Sequence, residues 1–235
     1  MAERKSNRRK KIETPATLAP QREVNSEIPK EEKRKVYPTS IVTINWDSLN
    51  TKRKMNEELR TQISELYGEI QNKPSSQIDK ISQLIEQYPE IQILHGYLLM
   101  AYLLDDDEEK ALEVAEYLSK KYPDFMYGKI GTVESYILTG KLDSIPEFLE
   151  NKFDYKELFP EKGSYHIAEV LQYYFSIGRY FALKGQVDKA NEYMKEIKSF
   201  DEEHAFIKKL QKDIDKGSGV KFYQKVLRKF KKDPK

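Results

Sequence analysis

The hydrophobic positions from Met55 onward recur at steps of three and four residues, the spacing of one face of an α-helix. A first helix is predicted to end before Pro74, and a second, which Ser75 or Ser76 can cap, to end at Pro89. The apolar face of the first helix comprises Leu59, Ile63, Leu66 and Ile70. Because the connections are short, neighbouring helices are expected to be antiparallel. The pattern predicts an all-α body without β-sheet from about Met55 onward.

Residues 1–40 have a different pattern, with few apolar side chains, four prolines and dense charge. Such a segment cannot bury enough apolar surface to offset the entropy lost on ordering, so it is predicted to be disordered. Residues 41–54 contain the one stretch with strand-like chemistry, which is β-branched at 41–44 and precedes Trp46, the only tryptophan. This stretch is expected to dock on the helical body, and the alternative is a linear motif for another protein.

A short motif recurs with a period of 34 residues, because Tyr88-Pro89 reappears as Tyr122-Pro123. A helix–turn–helix unit of 34 residues is the period of the tetratricopeptide repeat, and the chain resembles that family. The copies comprise residues 92–125, 126–159 and 171–204, preceded by a half-repeat at about 56–89. The copy at 126–159 is the most degenerate, and about 11 extra residues separate it from the next copy.

The copy at 171–204 carries the family signature most fully. The residues that match the two helices of the signature are Tyr174, Ile177, Gly178, Phe181, Ala190 and Met194. The resemblance covers about 150 of the 235 residues and implies an α-solenoid of stacked antiparallel helix pairs. The alternative is an irregular helical bundle whose helices happen to share their lengths.

The C-terminal segment, residues 219–235, is predicted to be a basic amphipathic helix that Gly217-Ser218-Gly219 would make separable from the body. Its apolar stripe comprises Tyr223, Val226, Leu227 and Phe230. This helix is expected to cap the solenoid, with an anionic membrane or nucleic acid as the alternative contact. The predicted organisation is a disordered basic tail (1–40), an extended linker or docking segment (41–54), a helical repeat domain (55–218) and this C-terminal helix (219–235).

The net charge of +2 conceals an acidic body between two basic ends. Residues 1–36 hold 11 Lys and Arg against 6 Asp and Glu, and residues 220–235 hold 7 against 1. The remaining 23 basic and 32 acidic residues give the body a charge of −9. The candidate polyanion contacts are Arg8, Arg9, Lys10, Lys11, Lys225, Arg228 and Lys229. The simpler interpretation of the N-terminal cluster is a solvated tail.

The sequence contains no recognisable catalytic or metal-binding motif. Cysteine is absent and there are three histidines, so thiolate sites and a His-rich metal centre are not expected. Asp201 and His204 could share a helical face, but a helix cap is the preferred interpretation. No cofactor, metal or enzymatic activity is predicted. Without a spanning apolar run or an apolar segment after the first basic residues, the chain is expected to be cytoplasmic, or nuclear in a eukaryote.

The resemblance places particular first-helix positions of each copy on a concave face that would bind a partner. These positions are Ile93, Tyr97 and Met100, then Tyr127, Ile130 and Glu134, and then Gln172, Phe175 and Arg179. They lack the Lys and Asn pattern with which family members clamp acidic C-terminal peptides. An apolar, aromatic groove instead implies a hydrophobic helix or an extended peptide as the ligand. The alternative is that residues 41–46 of the chain itself cover this groove.

Two functions follow from these observations. The preferred one is a non-enzymatic adaptor or scaffold that binds a protein or peptide in the groove. The alternative is a polyanion-associated factor whose basic termini contact RNA, DNA or an anionic membrane while the helical body holds a protein. Polyanion binding should weaken steeply with salt, whereas groove binding should be more tolerant of it. The identity of the partner and the oligomeric state are left open.

Overall fold

The computed structural model describes Ile41–Thr43, Trp46 and residues 55–230, with side chains described for Trp46 and residues 55–218. Within these residues the chain is almost entirely helical, which confirms the all-α class. The predicted disordered tail at 1–40 lies outside the described residues. None of the described helices is both long and apolar enough to cross a membrane.

The helices and strands follow one another in a simple order along the chain. The described part of the chain contains ten α-helices: α1 (Glu57–Asn72), α2 (Ile78–Gln87), α3 (Gln92–Leu104), α4 (Glu108–Lys121), α5 (Met126–Leu138), α6 (Ile145–Phe148), α7 (Tyr155–Leu158), α8 (Ile167–Leu183), α9 (Val187–Phe200) and α10 (Ala205–Phe230). The strands among the described residues are β1 (Ile41–Thr43) and β2 (Ser164–His166). Single 3₁₀ turns at Ser75–Gln77 and Leu142–Ser144 precede α2 and α6. The first predicted helix therefore ends at Asn72, before Pro74, as expected.

Helices α3, α5 and α8 form the centre of the core, since nearly every residue along each of them is buried. A helix that is apolar around its whole circumference must be surrounded by other elements. Here α4 packs between α3 and α5, α5 contacts α8, and α8 is covered by α9 and α10. Helices α1, α2, α4 and α9 bury one face each. The second helix of the pair that begins with α5 is short, because α6 has only four residues.

The turns that follow the three central helices have the same geometry. Each contains one residue with positive φ, at 59° for Asp106, 73° for Gly140 and 68° for Gly185. In each turn the next residue donates its N–H to a carbonyl five residues earlier, as Gln186 does to Phe181 at 2.8 Å. Asp106 and Gly140 are 34 residues apart, so the sequence period is also a period of turn geometry.

A two-stranded parallel sheet corrects the expectation of a body without any sheet. β1 pairs with β2 in the register Ile41 to Ser164 and Thr43 to His166. Trp46 then lies against His166, with 4.8 Å between the ring centroids. The strand-like segment therefore lies on the helical body, at the start of α8.

Helix α10 is continuous from Ala205 to Phe230, so the predicted boundary at Gly219 falls inside it. Gly217 is a packing residue rather than a flexible joint. A Cβ atom placed there would lie far inside van der Waals contact with the carbonyl oxygen of Ala182 in α8. The absence of a side chain therefore lets α10 run close to the end of α8, and the expected separable C-terminal helix is not present.

Candidate binding face

The structure brings the nine predicted groove residues together, but in the interior of the protein. Each of them is at most 3% exposed; three lie on α3 (Ile93, Tyr97, Met100), three on α5 (Tyr127, Ile130, Glu134) and three on α8 (Gln172, Phe175, Arg179). Direct contacts join the three helices, for example from Gln172 Nε2 to the carbonyl oxygen of Gly96 at 3.1 Å. The structure corrects the expectation of an open groove, because other helices cover these positions. We call the inward surface formed by these nine residues the inner face.

The first part of α10 covers the inner face along α8. The ring of Phe206 stacks on that of Phe175, with 4.1 Å between centroids and 7° between planes. One turn further, Leu210 lies so close to Gly178 that a Cβ on the glycine would be 2.8 Å from Leu210 Cδ2. Residues later in α10 contact residues later in α8, so the two helices run parallel. The described residues of the 41–46 segment, Ile41–Thr43 and Trp46, lie elsewhere, against β2 and His166.

A buried charge network fixes the register between α10 and the inner face. Arg179 donates from Nε to Asp213 Oδ2 of α10 at 2.9 Å, and it also pairs with Glu134 of α5. Ser176 donates its hydroxyl proton to the second oxygen of Glu134 at 2.7 Å. The guanidinium also lies over the ring of Phe175, at 5.5 Å from its centroid. Two carboxylates from different helices thus share one buried arginine.

Burial and pairing act in opposite directions on the ionisation of this network. Burial raises the pKa of Glu134, and the positive charge of Arg179 and the Ser176 hydrogen bond only partly oppose that rise. Burial alone would lower the pKa of Arg179, but Glu134 and Asp213 raise it above its usual value. The arginine therefore stays charged, and its positive charge favours the ionised form of Glu134.

Further contacts hold the first turns of α10. Lys209 pairs with Asp106 in the turn after α3. At the start of α10, His204 contacts Tyr67 of α1, with 2.7 Å between Nε2 and the hydroxyl oxygen. The ring of Tyr67 in turn lies 5.3 Å from that of Tyr97 on the inner face. The inner face is therefore enclosed by α1 as well as by α10.

Two histidines cap helices in their neutral form. His166 Nδ1 accepts the N–H of Ala168 at the start of α8, and His204 Nδ1 accepts that of Phe206 at the start of α10, each at 3.2 Å. Because Nδ1 is the acceptor in both rings, the proton lies on Nε2, and in His204 it is donated to Tyr67. Burial lowers the pKa of both histidines to about 4, and protonation at Nδ1 would break each cap.

Folding stability is expected to fall as the pH drops from about 6.5 towards 4. The unfolded chain binds protons on these histidines below about pH 6.5, whereas the folded chain does so only near pH 4, so the loss spans that window. Its size is roughly 1 kcal/mol per histidine for each pH unit. Melting temperatures across this range should fall less in the double variant His166→Asn, His204→Asn, since Asn can cap a helix without titrating. An equally steep fall in that variant would contradict the assignment.

A solvent-filled cleft of about 850 Å³ lies between the C-terminal half of α1 and the start of α10. Its lining combines Lys208 and Lys212 with the acidic residues Asp201, Glu202 and Glu203. Both ring nitrogens of His204 at its edge are already engaged by protein groups. Within the described ranges, no group of three His, Cys, Asp or Glu side chains could hold a metal ion.

The candidate polyanion contacts cannot be placed at the level of side chains. Arg8, Arg9, Lys10 and Lys11 lie outside the described residues. The backbone around Lys225, Arg228 and Lys229 is helical, and their side chains are outside the description. The prediction for these seven residues stays a prediction.

Sequence reasoning missed the part of α10 that covers the inner face, although a signal was present. The period of 34 continues past the last predicted copy and relates Gln172 to Phe206 and Arg179 to Asp213. Phe206, Leu210 and Ile214 also follow one another at steps of four residues, which indicates one buried helical face. Continuing the repeat would have predicted a helix beginning near Ala205.

Comparison of the chain with protein-family models, with curated proteins and with solved structures found no match in any of the three.

Proposed function

We propose that this protein is a non-enzymatic protein-interaction module, an adaptor or scaffold built from helix pairs like those of tetratricopeptide repeats. The pairs α3–α4 and α8–α9 and the shared turn geometry at Asp106, Gly140 and Gly185 support this proposal. The inner face is its binding face. In this arrangement α10 is an internal occupant of that face.

The observation that carries the proposal is the way in which α10 is held. A helix lies on the inner face through aromatic stacking at Phe206 and an ion pair at Asp213, contacts that select a particular helix. Such a surface, once uncovered, would suit a helix from another protein.

The same contacts make α10 the helix best suited to be exchanged. Forming a buried ion pair costs desolvation of both charges, so the Arg179–Asp213 pair adds specificity more than net stability. Gly217 and Gly219 also have poor helix propensity, at about 1 kcal/mol each relative to alanine. A competing helix would therefore have to replace the buried contacts of Phe206 and Leu210 as well as this ion pair.

The variant Gly217→Ala, made in the full chain, is expected to increase the capture of a protein partner. The new methyl group clashes with the backbone of α8 at Ala182 and lifts α10 from the inner face, without changing any inner-face residue. Alanine is the better helix former, so an effect of this variant must come from the clash. Affinity purification from extracts of the source cells, followed by mass spectrometry, would compare the variant with the parent chain.

The matched control is Ser218→Ala, because the Ser218 side chain is exposed and bonds only to the Ile214 carbonyl of its own helix, at 2.9 Å. It should capture the same amount of partner as the parent. Equal capture by all three proteins would mean that the partner does not use the inner face. If no protein is captured by any of them, the interaction module itself is contradicted.

The polyanion function remains the second candidate because of the direction of α10. Gly217 lies beside Ala182, one residue before α8 ends, and the two helices are parallel. The twelve helical residues 219–230 therefore continue past the end of α8, over about 18 Å at 1.5 Å per residue. This segment carries most of the basic charge of the C-terminal end.

A further inference from the structure

We infer that the partner helix has the same chemistry as the buried face of α10: an aromatic residue, a leucine four positions later, an aspartate three further, and a glycine four after that. This inference rests on the proposed function and adds the identity of the ligand class. In α10 the four positions are Phe206, Leu210, Asp213 and Gly217.

The aromatic position is specified by the ring that receives it. Phe175 is fully buried and presents its flat face, on which Phe206 stacks almost in parallel. The guanidinium of Arg179 lies over the ring of Phe175, 5.5 Å from its centroid. A flat apolar side chain fills this space, whereas a branched aliphatic side chain would lose the stacking contact.

The carboxylate position is specified by charge. Arg179 is 3% exposed, and its guanidinium pairs with Glu134 of α5, which also accepts a hydrogen bond from Ser176, so these contacts do not involve α10. Its Nε–H points at Asp213 and would be left without an acceptor if the incoming helix carried an apolar residue there. A lysine at this position would place two cations together in a buried site, so an acidic residue is selected.

The glycine position is specified by backbone contact. At Gly217 the axis of α10 comes so close to the end of α8 that the Ala182 carbonyl occupies the space of a Cβ, and the Gly185 Cα is 3.7 Å from that position. These atoms belong to the main chain and cannot rotate away. A partner helix therefore needs glycine here, or must end before this point.

The test uses a fluorescent peptide with the sequence of residues 203–218 and the full chain carrying Gly217→Ala. Fluorescence anisotropy should show saturable binding to the variant, at least about tenfold tighter than to the parent chain, where tethered α10 competes at high effective concentration. A matched peptide with Asp213→Asn should bind at least about tenfold more weakly than the unmodified peptide, because the carboxylate partner of Arg179 is lost.

Equal binding of the two peptides, or no binding to a folded variant, would overturn this inference. Either result would leave the interaction module standing, since that proposal depends on the capture experiment. If Gly217→Ala prevents folding, hydrogen exchange of the parent chain tests the inference instead. The amides of residues 206–217 should then exchange at least about tenfold faster than those of α8 by local opening, and equal protection of both helices would overturn the inference.

Discussion

Replacing Arg179 by alanine is expected to lower the free energy of unfolding by about 3–5 kcal/mol, because it leaves two buried carboxylates without their cation. Glu134 is fully buried and Asp213 is 3% exposed, so water cannot take over the role of the guanidinium. The loss should be measured by urea denaturation near pH 7. At lower pH the penalty should shrink, since Glu134 can then be protonated and need not carry an uncompensated charge.

A matched control is Lys184→Ala, which removes a different salt bridge. Lys184 Nζ lies 2.6 Å from Asp143 Oδ1, but the Asp143 side chain is 93% exposed. Exposed pairs of this kind contribute about 0–1 kcal/mol, because water and salt screen both charges. Comparable losses in the two variants would show that the Arg179 network is hydrated rather than buried.

The sequence was sufficient to predict the helices because their information is local. The apolar spacing around Leu59 and Ile63 and the proline at position 74 depend on neighbouring residues alone, and α1 ends where they indicate. The β-branched run at 41–44 likewise predicted an extended segment. Its partner strand at Ser164–His166 has no such signal. This strand has only three residues, the last of which is the N-cap of α8, and so few residues show no periodicity.

The closure of the inner face could not be predicted in the same way. Arg179, Glu134 and Asp213 are each typical of a solvated surface when considered alone, and an arginine at a groove position suggested a ligand contact. Only the packing of three distant helices makes them a buried network. The nine residues were predicted to line an open groove and are buried instead, because the first part of α10, which the sequence analysis did not recognise as a helix, covers them.

The glycine of the family signature, Gly178, does not mark the closest approach between helix backbones. The atom nearest to a Cβ placed on Gly178 belongs to the flexible end of the Leu210 side chain. Besides Gly217 on α10, the glycines that face backbone atoms lie on α5, where Gly128 faces the Tyr122 carbonyl and Gly131 faces the Ala115 carbonyl of α4. These two glycines carry no family signature in the degenerate copy, which is why pattern matching passed over them.

Gly128→Ala is therefore expected to destabilise the protein by about 3 kcal/mol, at the upper end of the range for overpacking. The added methyl group would overlap the carbonyl oxygen of Tyr122, a main-chain atom at the end of α4 that accepts the N–H of Phe125 at 3.0 Å. Relief requires α5 to move away from α4, and α5 also contacts α8. The effect should appear as a lower midpoint of urea denaturation with an unchanged slope.

The control is Gly68→Ala in α1, a helical glycine with no atom within 4 Å of its Cβ position. This substitution should raise stability by about 0.5–1 kcal/mol, because alanine has the higher helix propensity and meets no neighbour. The two variants make the same chemical change within a helix, in the first turn of α5 and in the C-terminal half of α1, so opposite signs indicate the effect of the α4–α5 contact. If both were stabilising, α5 would have to lie further from α4 than the structure has it, and the packing of the central helices described above would be wrong.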